Sequence, residues 1–164
     1  MPVRLRIVVL SLLAVSLLGG AWLLFRPAPA EAGLSSDFAA ASVTDLRDYV
    51  EGRASLNLRL MALDALRRKT DSGVDDALGA IAGGTDLRVA IMSTTALGKR
   101  RSKSVLLDLV TDEKLAKEVR MAAMTAVAVQ WKDPDDLEWL VSKAGTDSVL
   151  SGHAEWLESH VYGH

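Results

Sequence analysis

The chain of 164 residues contains no cysteine. That excludes disulfides, thiolate chemistry and a lipid-modified N-terminal cysteine, but it leaves the compartment open, because such a chain tolerates any redox poise. Aromatic residues are scarce, at 5%, so the core must be built from aliphatic and small side chains. There are only four prolines, and in an Ala- and Leu-rich sequence that favours helices over strands. Charge of either sign is nearly balanced, at −2 at pH 7, so nothing in the overall charge calls for nucleic acid or an anionic membrane surface.

The apparatus of catalysis is missing as well. There is no glycine-rich phosphate loop, no Ser/His/Asp order and no zinc-ligand spacing. No two carboxylates stand out as a general acid and base. His153, His160 and His164 are the only histidines. His153 and His160 lie seven residues apart and could share a helix face near Glu155 or Glu158, but their spacing matches no ligand motif. The acidic cluster Asp133, Asp135 and Asp136 around Pro134 suits a helix N-terminus, with Asp133 as N-cap. It lacks the ligand number and glycine turn of a calcium loop. The sequence therefore predicts no enzyme, no cofactor and no metal.

What is present begins with an apolar N-terminus. Arg4 and Arg6 precede a run from Ile7 to Phe25 without a charge, and Arg26 ends it. A helix of that length spans roughly 30 Å, about one bilayer core. Two readings compete: a signal peptide cut before Gly33 at Ala30-Glu31-Ala32, or an uncleaved anchor with Trp22 near the interface. The run exceeds the ~7–15 residues of a usual signal core, which favours the anchor. Either way the chain beyond it is expected outside the cytoplasm, in a bacterial cell envelope. The domains expected are 1–26 as anchor or signal, 27–41 as an Ala/Pro/Gly/Ser linker and 42–164 as a folded domain.

Within that domain the sequence repeats. Leu58-Arg59…Ala62…Ala65-Leu66, Val89-Ala90…Ser93…Ala96-Leu97 and Val119-Arg120…Ala123…Ala126-Val127 start 31 and then 30 residues apart. A divergent fourth copy runs from Val149 to Leu157. A shorter apolar segment precedes each, around Leu46, Ala77, Leu107 and Leu137. In the longer segment, positions 1, 5, 8 and 9 share one helix face, and small residues at 5 and 8 admit a close neighbour. Gly52, Gly83–Gly84 and Gly145 punctuate the units, and Ser42 or Thr44, Thr85 and Asp133-Pro134 offer helix starts. One helix pair cannot bury its apolar face, whereas four stacked pairs can.

The pattern resembles the HEAT-like repeat in its short, phycobiliprotein-lyase form, whose motif is roughly an acidic residue followed by Val-Arg-x-x-Ala-x-x-Ala-Leu-Gly. The match covers about residues 42 to 160, with Ala90 and Leu150 standing where the arginine is expected. The resemblance implies an all-α fold, an α-solenoid of about four two-helix repeats. It also implies an interaction scaffold more often than an enzyme. In such repeats the motif arginine often reaches an acidic residue of the next unit, so ties are expected from Arg59 to Asp86 and from Arg120 to Asp147.

Three further features bear on function. Lys99-Arg100-Arg101-Ser-Lys103 is the one dense basic run, read as a solvated turn whose cations suit a helix C-terminus, with anion binding as the alternative. Trp131, Trp139 and Trp156 read as plugs for the C-terminal end of the stack. At positions 3 and 6 of the motif stand Leu60, Leu63, Ile91, Met121 and Met124, with Met61 and Met92 beside them. They form either an exposed stripe for a protein partner, for which methionine is adaptable, or core between units. The function expected is a protein–protein interaction scaffold anchored through Ile7 to Phe25, with no nucleic acid as partner. The alternatives are an enzyme or nucleic-acid-acting protein on the same scaffold, and a structural spacer in an envelope assembly.

Overall fold

A computed structural model describes residues 37–163, and among them the fold is all-α, without a strand. Eight α-helices follow one another: α1 (Val43–Glu51), α2 (Leu56–Arg68), α3 (Val74–Ala82), α4 (Leu87–Arg100), α5 (Lys103–Thr111), α6 (Lys117–Trp131), α7 (Pro134–Ala144) and α8 (Ser148–Leu157). A π-helical turn, Glu158–Tyr162, continues α8.

Local chemistry fixes most of the helix ends. Ser42 caps α1 in a reciprocal box with Asp45, which satisfies two backbone donors at once. Ser55, Asp86, Asp133 and Asp147 cap α2, α4, α7 and α8 through their side-chain oxygens. The start of α4 is thus Asp86, one residue beyond Thr85, where the sequence pattern placed it. Gly52, Gly83 and Gly145 end α1, α3 and α7. Two helix ends use a left-handed residue that is not glycine, Arg101 (φ 62°) and Lys132 (φ 51°).

The helices pack as consecutive pairs: α1 with α2, α3 with α4, α5 with α6 and α7 with α8. First helices also touch first helices (α1–α3, α3–α5, α5–α7), and second helices touch second helices (α2–α4, α4–α6, α6–α8). A single core runs between these two layers. Leu46, Leu66, Leu78, Leu97, Leu106, Leu140, Leu150 and Leu157 are fully buried in it, each worth about 1.5–3 kcal/mol relative to exposure. Ser93 occupies the small-residue position held elsewhere by Ala62 and Ala123, and its buried hydroxyl donates to the Leu78 carbonyl of the paired helix at 2.7 Å, so that close approach leaves no polar group unsatisfied.

The packed region starts before Ser42. Residues 37–40 form a helical turn, and Phe38 is buried against Tyr49, ring centroids 4.8 Å apart in an edge-to-face contact. The expected linker over 27–41 therefore gives up its last residues to the core. The apolar run from Ile7 to Phe25 lies outside the described residues. Among those described, no helix is long and apolar enough to cross a membrane.

Candidate functional site

The layer of second helices carries every residue singled out for partner contact, and the structure divides them. Leu63 is 3% exposed and Met124 fully buried, as is Thr94 at the same motif position. Position 6 is therefore core, and Leu63 and Met124 cannot meet a partner. The reason is the two-sided environment of a middle helix: α4 packs against α3 within its pair and against both α2 and α6, so its buried arc is wider than the single stripe of an isolated amphipathic helix. Position 3 differs. Leu60, Ile91 and Met121 are each half-buried, and Leu60 and Met121 rest on the core together with Met61 and Met92. Because α2, α4 and α6 are neighbours, these three form one row.

The first tie is present. Arg59 Nη1 donates to Asp86 Oδ2 at 2.8 Å, and Arg59 Nε donates to the Val50 carbonyl at the end of α1. One guanidinium thus closes α1 onto α2 and bridges to the N-cap of α4. The pKa of Asp86 is lowered. Burial, the largest influence, raises it but is outweighed by the Arg59 hydrogen bond, the Val89 and Arg88 amides and the Arg59 charge.

The second tie is not. Arg120, 9% exposed, keeps the equivalent backbone contact, Nε to the Val110 carbonyl at 2.8 Å. Asp147, however, is held by Lys117 at 2.6 Å, whose hydrogen bond is the main reason its pKa is lowered. Lys117 opens α6 one turn ahead of Arg120, nearer the N-cap of α8. The matching first residue of α2 is Leu56, which cannot compete for Asp86.

The basic run is not a solvated turn throughout. Arg100 pairs through its Nε with Asp75 on α3, the other helix of its own pair, and crosses to the first pair through its Nη1, which donates to the carbonyls of Arg67 and Lys69 at 2.9 and 2.7 Å. These lie at the C-terminal end of α2, where a cation also meets the negative pole of the helix. Asp75 is lowered in pKa although burial, the largest influence, raises it; Arg100 and Ser102 together prevail. Arg101 donates to the Gln130 carbonyl at 3.1 Å, and Lys103 pairs with Asp136 at 2.7 Å. Both cations lie about 6 Å from the centre of the Trp131 ring. The run ties neighbouring pairs together, an arrangement visible only once residues 67, 75, 130 and 136 are known to converge on it.

At the C-terminal end, Trp131, Trp139 and Trp156 are partly buried against the core. Trp156 stacks between His153 and His160, with ring centroids 5.8 and 4.7 Å away. His153 Nε2 is 2.9 Å from Thr125 Oγ1. That hydroxyl donates to the Met121 carbonyl, so it accepts from a His153 that carries its proton on Nε2. Burial lowers the pKa of His153. Among the described residues, no three His, Asp or Glu side chains gather to hold a metal ion.

Sequence reasoning missed a cleft beside the Arg59–Asp86 clasp. It has a volume of about 290 Å³ and is lined by Val50, Glu51, Arg59, Ile81, Gly84, Thr85, Asp86 and Val89. No protein-family model matches the chain, and neither a curated protein nor a solved structure matches it.

Proposed function

We propose that the four helix pairs are HEAT-like repeats stacked as a right-handed α-solenoid, and that the protein is an interaction scaffold in a bacterial envelope, held to the inner membrane through Ile7 to Phe25 or released by cleavage before Gly33. The observation that carries this reading is the row of Leu60, Ile91 and Met121, three aliphatic side chains half-open to solvent at one motif position on three adjacent helices. A row of that kind offers a partner continuous apolar contact at a spacing set by helix stacking. The alternation of first- and second-helix layers, and the arginine shared between the first two pairs, support the repeat assignment. The polar clusters are consumed in holding the pairs together, which leaves a binding surface as the better reading over a catalytic centre.

The test is photo-crosslinking in cells with a reactive residue in place of Ile91, alongside one in place of the exposed Glu138 on α7. A discrete adduct from position 91 and none from position 138 supports the reading. Equal labelling from both sites, or recovery of the full chain in the cytoplasmic soluble fraction, sinks it.

A further inference from the structure

The helix pairs are built to one register, so equivalent positions can be compared directly. The N-caps Asp86 of α4 and Ala116 of α6 correspond, which makes Thr85 the counterpart of Leu115. The glycines that end α1 and α3, Gly52 and Gly83, correspond in the same way. Between the second and third pairs, Leu115 is half-buried, packs on the core and brings its Cδ2 to 3.9 Å from where a Cβ on Gly83 would lie. It plugs the space beside the end of α3. Between the first and second pairs, the corresponding Thr85 is exposed, and a Cβ on Gly52 would meet only the backbone of its own helix. There the structure has the 290 Å³ cleft, floored by the buried side chains of Val50, Ile81 and Val89.

The cleft thus lies at the register position that Leu115 fills in the next junction, with Arg59 and Asp86 in its wall where that junction has Ala90 and Ala116. From this we infer that it receives an aliphatic side chain, leucine-like in size, from a partner polypeptide; the inference rests on the scaffold reading and names the chemistry of one contact. The protein's own Leu115 shows what such a socket accepts. Both carboxylates at the lip are already paired within the chain, Glu51 with Arg47 at 3.2 Å and Asp86 with Arg59 at 2.8 Å, so the anchor side chain, not charge, sets the class. The segment 114–117, Lys-Leu-Ala-Lys, carries such a leucine within this chain. The ligand class is a leucine-bearing peptide segment, docked by one anchor side chain.

The experiment uses the full chain with methyl-labelled Val and Ile, kept in solution with lipid nanodiscs, and the capped peptide Lys-Leu-Ala-Lys as probe. The methyl resonances of Val50, Ile81 and Val89 should shift in a saturable way. The same peptide with alanine for leucine should bind about tenfold more weakly or not at all, the loss expected for an unburied leucine side chain. Thr85→Leu should supply the missing plug from within, raising Tm and abolishing the shifts. Equal shifts from both peptides, no shift at millimolar peptide, or a Thr85→Leu variant whose Tm does not rise would each overturn the proposal. None of these touches the crosslink at Ile91, so failure of the socket and failure of the scaffold reading are told apart.

Discussion

Between the first and second helix pairs, Arg59 reaches Asp86 and Arg100 reaches the carbonyls that end α2. Between the second and third, Ala90 stands where the arginine would be, and α4 and α6 meet through small residues: a Cβ added to Gly98 would lie 3.1 Å from the Ala126 Cβ. The first junction is held by charged hydrogen bonds across a gap, with an open cleft beside them. The second is held chiefly by dispersion at short range, with Leu115 filling the corresponding space and one charged hydrogen bond, Arg101 to the Gln130 carbonyl, at the far end of the helices. Losing the motif arginine is thus accompanied by closer packing, and the two junctions should answer differently to substitution, salt and pH.

The largest effect is expected at the close-packed junction. Gly98→Leu drives a side chain into Ala126 and should cost about 3 kcal/mol, seen in denaturant melts and unchanged by added salt. A cost under about 1 kcal/mol would mean that the second-helix layer yields there and the contrast is overstated. Next, Arg100→Ala should cost about 2 kcal/mol, because it strips a cation from two carbonyls and a carboxylate. Part of that loss should disappear in 1 M salt, since the exposed side of Asp75 is already screened.

A double-mutant cycle is the sharper instrument for the ties. Arg59 and Asp86, with side chains 15% and 30% exposed, should couple by about 0.5–1 kcal/mol. Arg120 and Asp147 should couple by nearly nothing. Measurable coupling in the second cycle would contradict the exchange of partners seen at Lys117.

Acid separates the groups by sign. Asp75, Asp86 and Asp147 have folded pKa values below the ordinary 3.8. Their stabilisation is complete above that value and is lost as pH falls through the folded values. His153 is held below its ordinary 6.5, so the unfolded chain takes up its proton first, and the loss begins as pH drops under 6.5. His153→Gln should flatten the stability profile between pH 7 and 5 and leave the fall below pH 4 intact; a profile unchanged between 7 and 5 would remove His153 from the account. The smallest effect is a gain. Lys132→Gly relieves a left-handed residue at the end of α6 and should add about 0.5 kcal/mol, the strain relief less the entropy of glycine; a drop in Tm would show that Lys132 contributes something beyond its backbone.

Much of this was legible in the sequence, because helix periodicity, caps and a repeated register are local or regular signals. The all-helical fold, the pairing of a short with a long helix, the Ser42 and Asp133 starts and the Arg59–Asp86 bridge all rest on such signals. Arg120–Asp147 has the same spacing and did not form. The deciding residue, Lys117, was in plain sight, but only a comparison with Leu56 at the same helix position reveals it as a competitor. Leu63 and Met124 were left open between stripe and core because a helical wheel treats a helix as having one buried side, while α2, α4 and α6 are covered from several. Arg100 was misread because two of its three acceptors are backbone carbonyls, which any residue type can present. The cleft has no local signal, since it consists of an absence at Thr85 relative to Leu115.

The contact of Gly98 with Ala126 has a mechanical meaning. When tension is applied along the stack, a short-range contact stores load steeply and then fails at once, while an ionic clasp can slip and re-form with another acceptor. Within residues 37–163 the middle is then the stiffer part, and compliance collects at the first junction. Pulling the described helices apart from their two ends would open the Arg59 and Arg100 contacts before it disturbed the central helices.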